Sequence, residues 1–179
     1  MTRAAASITR YSGCFRQSRT HTVLDYGAGT LRNALFLARH GFTVYAADLP
    51  EQAVIQRGRS DARQLAGLLN IGELQESGLG VDLVLSTYVF NIIMENAEQR
   101  RYLDKVVANL RPGGYLLINM RPAAGYPLQR SLQPPVQAPK VCQDLHPRRT
   151  GRSDQPLWVP AYQPLLPPPR GGRYLSAYR

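Results

Sequence analysis

Between Val23 and Met120 the apolar positions follow two alternating rhythms, and both stop after that point. Val23 and Leu24 open a short apolar run that ends in Asp25. Beyond the small residues Gly27, Ala28 and Gly29, the leucines Leu31, Leu35 and Leu37 recur at helical spacing. This predicts a helix over 33–39, stopped by Gly41. The β-branched and aromatic run Thr43–Ala47 predicts a second strand, and it too ends in an acid, Asp48. Pro50 closes that turn, and Ala53, Val54, Arg57, Asp61 and Leu65 predict a helix over 51–69. Leu68 to Ile71 marks a short third strand. Val81–Ser86 is a continuous apolar run bounded by Gly78 and Gly80, the pattern of a strand buried on both faces. A helix over 91–110, a turn at Arg111-Pro112-Gly113-Gly114 and a fifth strand, Tyr115–Met120, complete the series. Strands alternating with helices predict an α/β fold, a Rossmann-like parallel sheet with helices on both faces.

The flanks look different. Residues 1–22 read as an irregular basic lead-in with one helical turn at most, and 23–121 as the folded domain. Residues 122–179 read as an irregular tail rich in proline and arginine. Twelve of the 14 prolines follow Arg121, so any C-terminal strands are missing or unrecognisable there. The net charge of +10 would suggest a nucleic-acid partner, but its distribution weakens that reading. Four arginines and no acid precede Val23, nine basic and ten acidic residues lie between Val23 and Met120, and nine basic and two acidic follow. A patch that tracks nucleic acid belongs on the folded domain as well. The two cysteines are too few for a disulfide framework, and the three histidines form no ligand cluster, so no metal site is expected. No apolar run is long enough to span a membrane, and the expected location is cytoplasmic. The acid-free, arginine-rich start also has the composition of an organelle transit peptide.

The chemistry concentrates in Thr22–Leu49. Glycines at 27 and 29 permit a tight turn that opens a helix and lets a ligand approach the backbone. Asp48, 19 positions after Gly29 and at the tip of the next strand, is placed to hydrogen-bond ribose hydroxyls. A dinucleotide fingerprint requires a third glycine where Arg32 stands, and Asp25 would repel a pyrophosphate. A nucleoside with a cationic tail suits the turn better.

The motif V-L-D-Y-G-A-G-T resembles the first motif of class I S-adenosylmethionine-dependent methyltransferases, an acid followed by x-G-x-G-x-G. Asp25, Gly27 and Gly29 match it, and Leu31 replaces the third glycine. The leucine-rich segment after Arg32-Asn33 resembles the tellurite-resistance methyltransferases and small bacterial relatives, and the likeness spans roughly Val23 to Arg121. The resemblance implies S-adenosyl-L-methionine as cofactor, held by Asp25, Gly27, Gly29 and Asp48. It implies an adenine contact just after the third strand, with Gly72, Glu73 and Leu74 as candidates and Asp61 as a weaker one. Open α/β sheets bind ligands beyond the carboxyl ends of their strands. Ser86, Thr87, Tyr88 and Asn91, after the fourth strand, are therefore acceptor-side candidates. They have a plain alternative reading, with Tyr88 in the core and Asn91 as a helix cap. The implied activity is methyl transfer to a small-molecule acceptor. Such a reaction needs positioning more than a dedicated base, so the catalytic residues remain unassigned. The D/N/S-P-P-Y/F motif of amino-DNA methylases is absent from S-T-Y-V-F. Two alternatives stay open: a non-catalytic or degenerate methyltransferase-fold protein, and a nicotinamide-dependent oxidoreductase.

Overall fold

A computed structural model describes residues 3–74 and 78–119, together with the backbone of the strand 157–160. The elements run in the order α1 (Ala6–Gln17), β1 (Thr22–Tyr26), α2 (Arg32–Arg39), β2 (Thr43–Asp48), α3 (Pro50–Arg57), β3 (Gly67–Asn70), β4 (Val81–Thr87), α4 (Asn96–Asn109), β5 (Leu110–Asn119) and β6 (Leu157–Pro160). The sheet order is β3-β2-β1-β4-β5-β6. The first five strands are parallel, and β6 runs antiparallel to β5. The chain leaves β1 for β2 on one side and places β4 on the other. The strand order therefore reverses beside β1, and the crevice for a ligand lies at the carboxyl ends of β1 and β4.

The alternation of side chains along each strand splits the core in two. Val23, Val44, Ala46, Leu83, Leu85 and Leu117 face α1 and α2, meeting Ile8, Tyr11, Phe15, Ala34 and Leu37. Leu24, Tyr26, Val84, Leu116 and Ile118 face the other way, against Tyr102 and Val106 of α4.

Five sequence expectations change. The turn expected at Arg111–Gly114 belongs to β5, which starts at Leu110 and shifts register against β4 there. The lead-in contains a 12-residue helix. Ile8, Tyr11 and Phe15 recur at spacings of three and four and are almost wholly buried, while Arg10 and Arg16 stay on the wet side. Burial of that stripe holds the helix, and its arginines disguise it. The helix expected over 51–69 ends at Arg57, with Gly58 as its C-cap, and a 3₁₀ turn, Ser60–Gln64, leads into β3. The helix expected from Asn91 starts only at Asn96, and Asn91 lies in a preceding 3₁₀ turn, Phe90–Ile92, rather than at a cap. Finally, four residues of the tail are a strand, Leu157–Pro160, that covers the edge of β5. The remaining tail assignments lie outside the described residues. Among the described residues no helix is long and apolar enough to cross a membrane.

The opposite end of the sheet is fastened by Asp82, at the start of β4. Its Oδ2 accepts hydrogen bonds from the backbone N–H groups of His21 and Thr22, at 2.8 Å each, and from the Thr22 hydroxyl at 2.9 Å. Arg111 donates to its Oδ1. Burial pushes this carboxyl up, but the His21 and Thr22 amides, the Arg111 guanidinium and the Thr22 hydroxyl together hold it down at about 2. Its folded-state value thus lies below that of the unfolded chain. The stabilisation is complete above about pH 4 and is lost as the pH falls towards 2. Asp82→Asn is expected to cost about 2 kcal/mol at pH 7 and to flatten acid denaturation over that window, which urea titrations at several pH values would measure. An unchanged acid limb would refute this assignment.

Candidate functional site

The turn after β1 is built from backbone conformations that favour glycine. Gly27 has φ +80° and Gly29 φ +53°. A Cβ on Gly27 would stand 2.3 Å from Val89 Cγ2, so the loop after β4 packs directly on this glycine. A Cβ on Gly29 would meet nothing within 4 Å, which leaves that face open to a ligand. Leu31, where the resembled motif has its third glycine, keeps a left-handed conformation with φ 62°. Its side chain is fully buried in the α1–α2 core, and that burial offsets the backbone strain.

The turn's amides are committed inside the protein. Gly27 N–H donates to the Ala47 carbonyl at 2.8 Å, and Gly29 N–H donates to Asp48 Oδ2 at 2.6 Å. Asp48 Oδ1 accepts from the Leu49 amide at 2.9 Å. From α3, the side-chain amides of Gln52 and Gln56 both donate to the Gly29 carbonyl, and Gln56 also reaches Asp48 Oδ2 at 3.2 Å. Asp48 is therefore both the acid at the β2 tip and the clasp of the turn. Gln52 and Gln56 are not among the residues that the sequence singles out. Their only signal is a pair four apart on a helix, on the face turned towards the acid.

Asp25, near the end of β1, is wholly buried. Neither carboxylate oxygen has a hydrogen-bond partner. Burial pushes its pKa up to about 7; the Ala34 amide is near enough to oppose this, nearby Asp48 adds to it, and Arg32 pulls it down. Above this edge lies the start of α1. The Ala5 amide donates to Asn33 Oδ1 at 2.9 Å, and Asn119 Nδ2 donates to the Ser7 hydroxyl at 2.7 Å. Asn33, Asn119 and Ser7 are all buried. Nothing in their spacing announces this cluster, because three distant segments supply it.

The acceptor-side candidates divide. Ser86 is fully buried, and its Oγ accepts the Tyr102 hydroxyl at 2.7 Å, so it does not face an acceptor. Burial drives the Tyr102 hydroxyl pKa upward. Thr87 and Tyr88 are half-buried and Asn91 is exposed, all three at the edge where β4 ends. Tyr88 takes φ 63°, an uncommon conformation for an aromatic residue, and its amide donates to the Asn119 carbonyl at 2.7 Å. Among the adenine candidates, Glu73 is paired with Arg57 at 2.7 Å, Leu74 is buried in the α4-side core, and Gly72 is exposed beyond β3. Asp61 drops out: it is paired with Arg59 in the 3₁₀ turn that precedes β3, at the wrong end of the strand. A cavity of about 370 Å³ lined by Arg57, Arg59, Arg63 and Leu68 is also at that end and is separate from the crevice.

A family model described as a methyltransferase domain matches residues 2–153. No curated protein sequence matches. Among solved structures, a protein from a study of the conversion of a disulfide bond into a thioacetal group during echinomycin biosynthesis is 26% identical. It superposes with a TM-score of 0.50 over 60% of this chain and 46% of its own. SAM-bound CalS10, an amino pentose methyltransferase of Micromonospora echinaspora involved in calicheamicin biosynthesis, is 23% identical. Its TM-score is 0.51 over 64% of this chain and 50% of its own. A Pyrococcus horikoshii OT3 protein is 17% identical, with a TM-score of 0.52 over 64% of this chain and 57% of its own. The chain thus spans about half the length of these structures.

Proposed function

The chain belongs to the family of methyltransferase domains, and from that premise we propose that it transfers a methyl group from S-adenosyl-L-methionine to a small-molecule acceptor. The observation that carries this reading is the glycine turn clasped by Asp48, with the unpartnered carboxylate of Asp25 beside it. The residues fit the cofactor: Gly29 is open on its outer face, Asp48 stands at the β2 tip where a ribose is bound in such folds, and Asp25 is an acid whose oxygens have no hydrogen-bond partner. When bound, S-adenosylmethionine supplies an electrophilic methyl group on a sulfonium.

The chain's own contribution is positioning and exclusion of water. Gln52 and Gln56 fix the turn from α3, so Gly29 presents a rigid surface. The Val89 loop packs on Gly27 and holds the turn in place. Thr87, Tyr88 and Asn91 stand at the β4 end, on the side left for an acceptor. Two similar structures, one linked by its description to echinomycin biosynthesis and the other an amino pentose methyltransferase, support a small acceptor rather than a polymer. Gly72 remains the adenine-side candidate that is neither paired nor buried.

The test is calorimetric titration with S-adenosylmethionine, followed by a screen of small acceptors for formation of S-adenosylhomocysteine. Saturable binding with no turnover on any acceptor would favour a cofactor-binding protein without activity. Absence of binding would defeat the reading.

Deleting residues 120–179 separates binding from solubility. The cofactor-side residues all precede Asn119, so binding should persist. Without β6, β5 becomes an unpaired edge, which invites association. Light scattering should rise with concentration for the shortened chain, and binding lost from a monomeric, folded truncation would count against the assignment.

A further inference from the structure

Resting on that reading, we infer that Asp25 is held as a neutral acid in the cofactor-free protein and gives up its proton when the cofactor's ammonium group binds. The geometry leads here in three steps. First, the carboxylate is wholly buried and both oxygens lack hydrogen-bond partners, although buried charges are ordinarily paired. Second, its surroundings do not supply a neutralising partner. The Ala34 amide of α2 opposes the effect of burial but carries no charge, Asp48 on β2 is a like charge, and Arg32 at the start of α2 is the weakest opposing influence. Tyr26 on its own strand and Tyr102 on α4 are neutral phenols whose ionisation is itself disfavoured by burial. Ala5, which caps α1, and Ser7 in its first turn close this edge and carry no charge, and neither does Leu85, its neighbour on β4. Third, a raised pKa of about 7 follows from that environment and puts the change of state within reach of neutral pH.

A ligand cation changes the balance. The O–H bond of the acid breaks, the proton leaves to solvent, and the carboxylate pairs with the ammonium. Binding of the cofactor and release of one proton then become a single linked event. Affinity should rise with pH by up to about tenfold per unit below pH 7 and level off above it.

The experiment is calorimetry of the full chain with S-adenosylmethionine at pH 6 in two buffers of different ionisation enthalpy. At that pH the ligand's α-amino group stays protonated, so the count reports the protein. The expected result is release of most of one proton per cofactor, and none for Asp25→Asn. A binding heat independent of buffer in the parent overturns the inference while leaving the cofactor assignment intact. No binding at any pH overturns both. A second readout needs no cofactor. The folded-state pKa lies above the unfolded one, so Asp25 contributes fully below about pH 4, and that contribution is lost as the pH rises towards 7. The parent's urea midpoint should therefore fall over this range relative to that of Asp25→Asn. Parallel pH profiles for the two proteins overturn the inference.

Discussion

Gly27→Ala should be among the most damaging single substitutions in the chain, with a stability loss of about 2–5 kcal/mol. Two separate costs add. At φ +80° an L side chain is strained, at about 1–2 kcal/mol. The new Cβ would also lie 2.3 Å from Val89 Cγ2, a contact that cannot stand without moving the loop after β4. That loop is already under constraint, since Tyr88 is left-handed and anchored through its amide to Asn119. Overpacking of this kind costs about 1–3 kcal/mol. The two parts can be separated in a double-mutant cycle with Val89→Ala. The larger side chain is then gone, so the steric part should be recovered while the backbone part remains, giving a coupling of about 1 kcal/mol or more. Denaturation midpoints of the four proteins supply the measurement. If Gly27→Ala is as costly in the Val89→Ala background as in the parent, the packing explanation fails and strain alone accounts for the effect. Cofactor affinity should fall at least about tenfold, some 1.4 kcal/mol, in the single mutant, because the turn and the loop move together.

The contrast between Gly27 and Gly29 shows what the sequence can and cannot reveal. The D-Y-G-A-G motif, the acid after β2 and the buried run of β4 are all legible, because local spacing and strand-end position determine them. That Gly27 touches Val89 is not legible, since 62 positions separate the two residues. The α1 helix is obscured for another reason. Its arginines dominate the composition, while its apolar stripe consists of only four residues, Ile8, Tyr11, Cys14 and Phe15. The Ser7–Asn119 and Ala5–Asn33 hydrogen bonds tie three remote segments across the site edge, and no periodicity encodes such a bond. β6 is only four residues of a proline-rich region, and one of the four is itself proline, at the far end of the pairing. Ser86 misleads because strand position alone cannot tell a side chain that looks into the crevice from one that turns back to a core tyrosine.

Asp48→Ala should weaken both cofactor binding and the protein itself, and separating these losses tests what the acid does. As a ribose ligand it would contribute charge-assisted hydrogen bonds of about 1.5–3 kcal/mol, or roughly 10- to 150-fold in affinity. As the clasp of the turn it already accepts from Gly29, Leu49 and Gln56, and its removal leaves the Gly29 amide without that partner near the surface. A stability loss of about 2–3 kcal/mol follows from the second role alone. Gln56→Ala isolates that role. It removes hydrogen bonds to the Gly29 carbonyl and to Asp48 Oδ2 from a fully buried side chain, yet leaves the carboxylate in place. It should lower stability by about 1–3 kcal/mol while reducing affinity less than about fivefold, because Gln52 still holds the same carbonyl. The readouts are urea midpoints and calorimetric titration with S-adenosylmethionine at a temperature where all variants are folded. If affinity falls equally in both variants, the acid acts only through the turn. If it falls in Asp48→Ala alone, the carboxylate touches the ligand. Binding undiminished in Asp48→Ala would remove the β2 acid from the site, and the glycine turn would then have to hold the cofactor through Gly29 and Asp25.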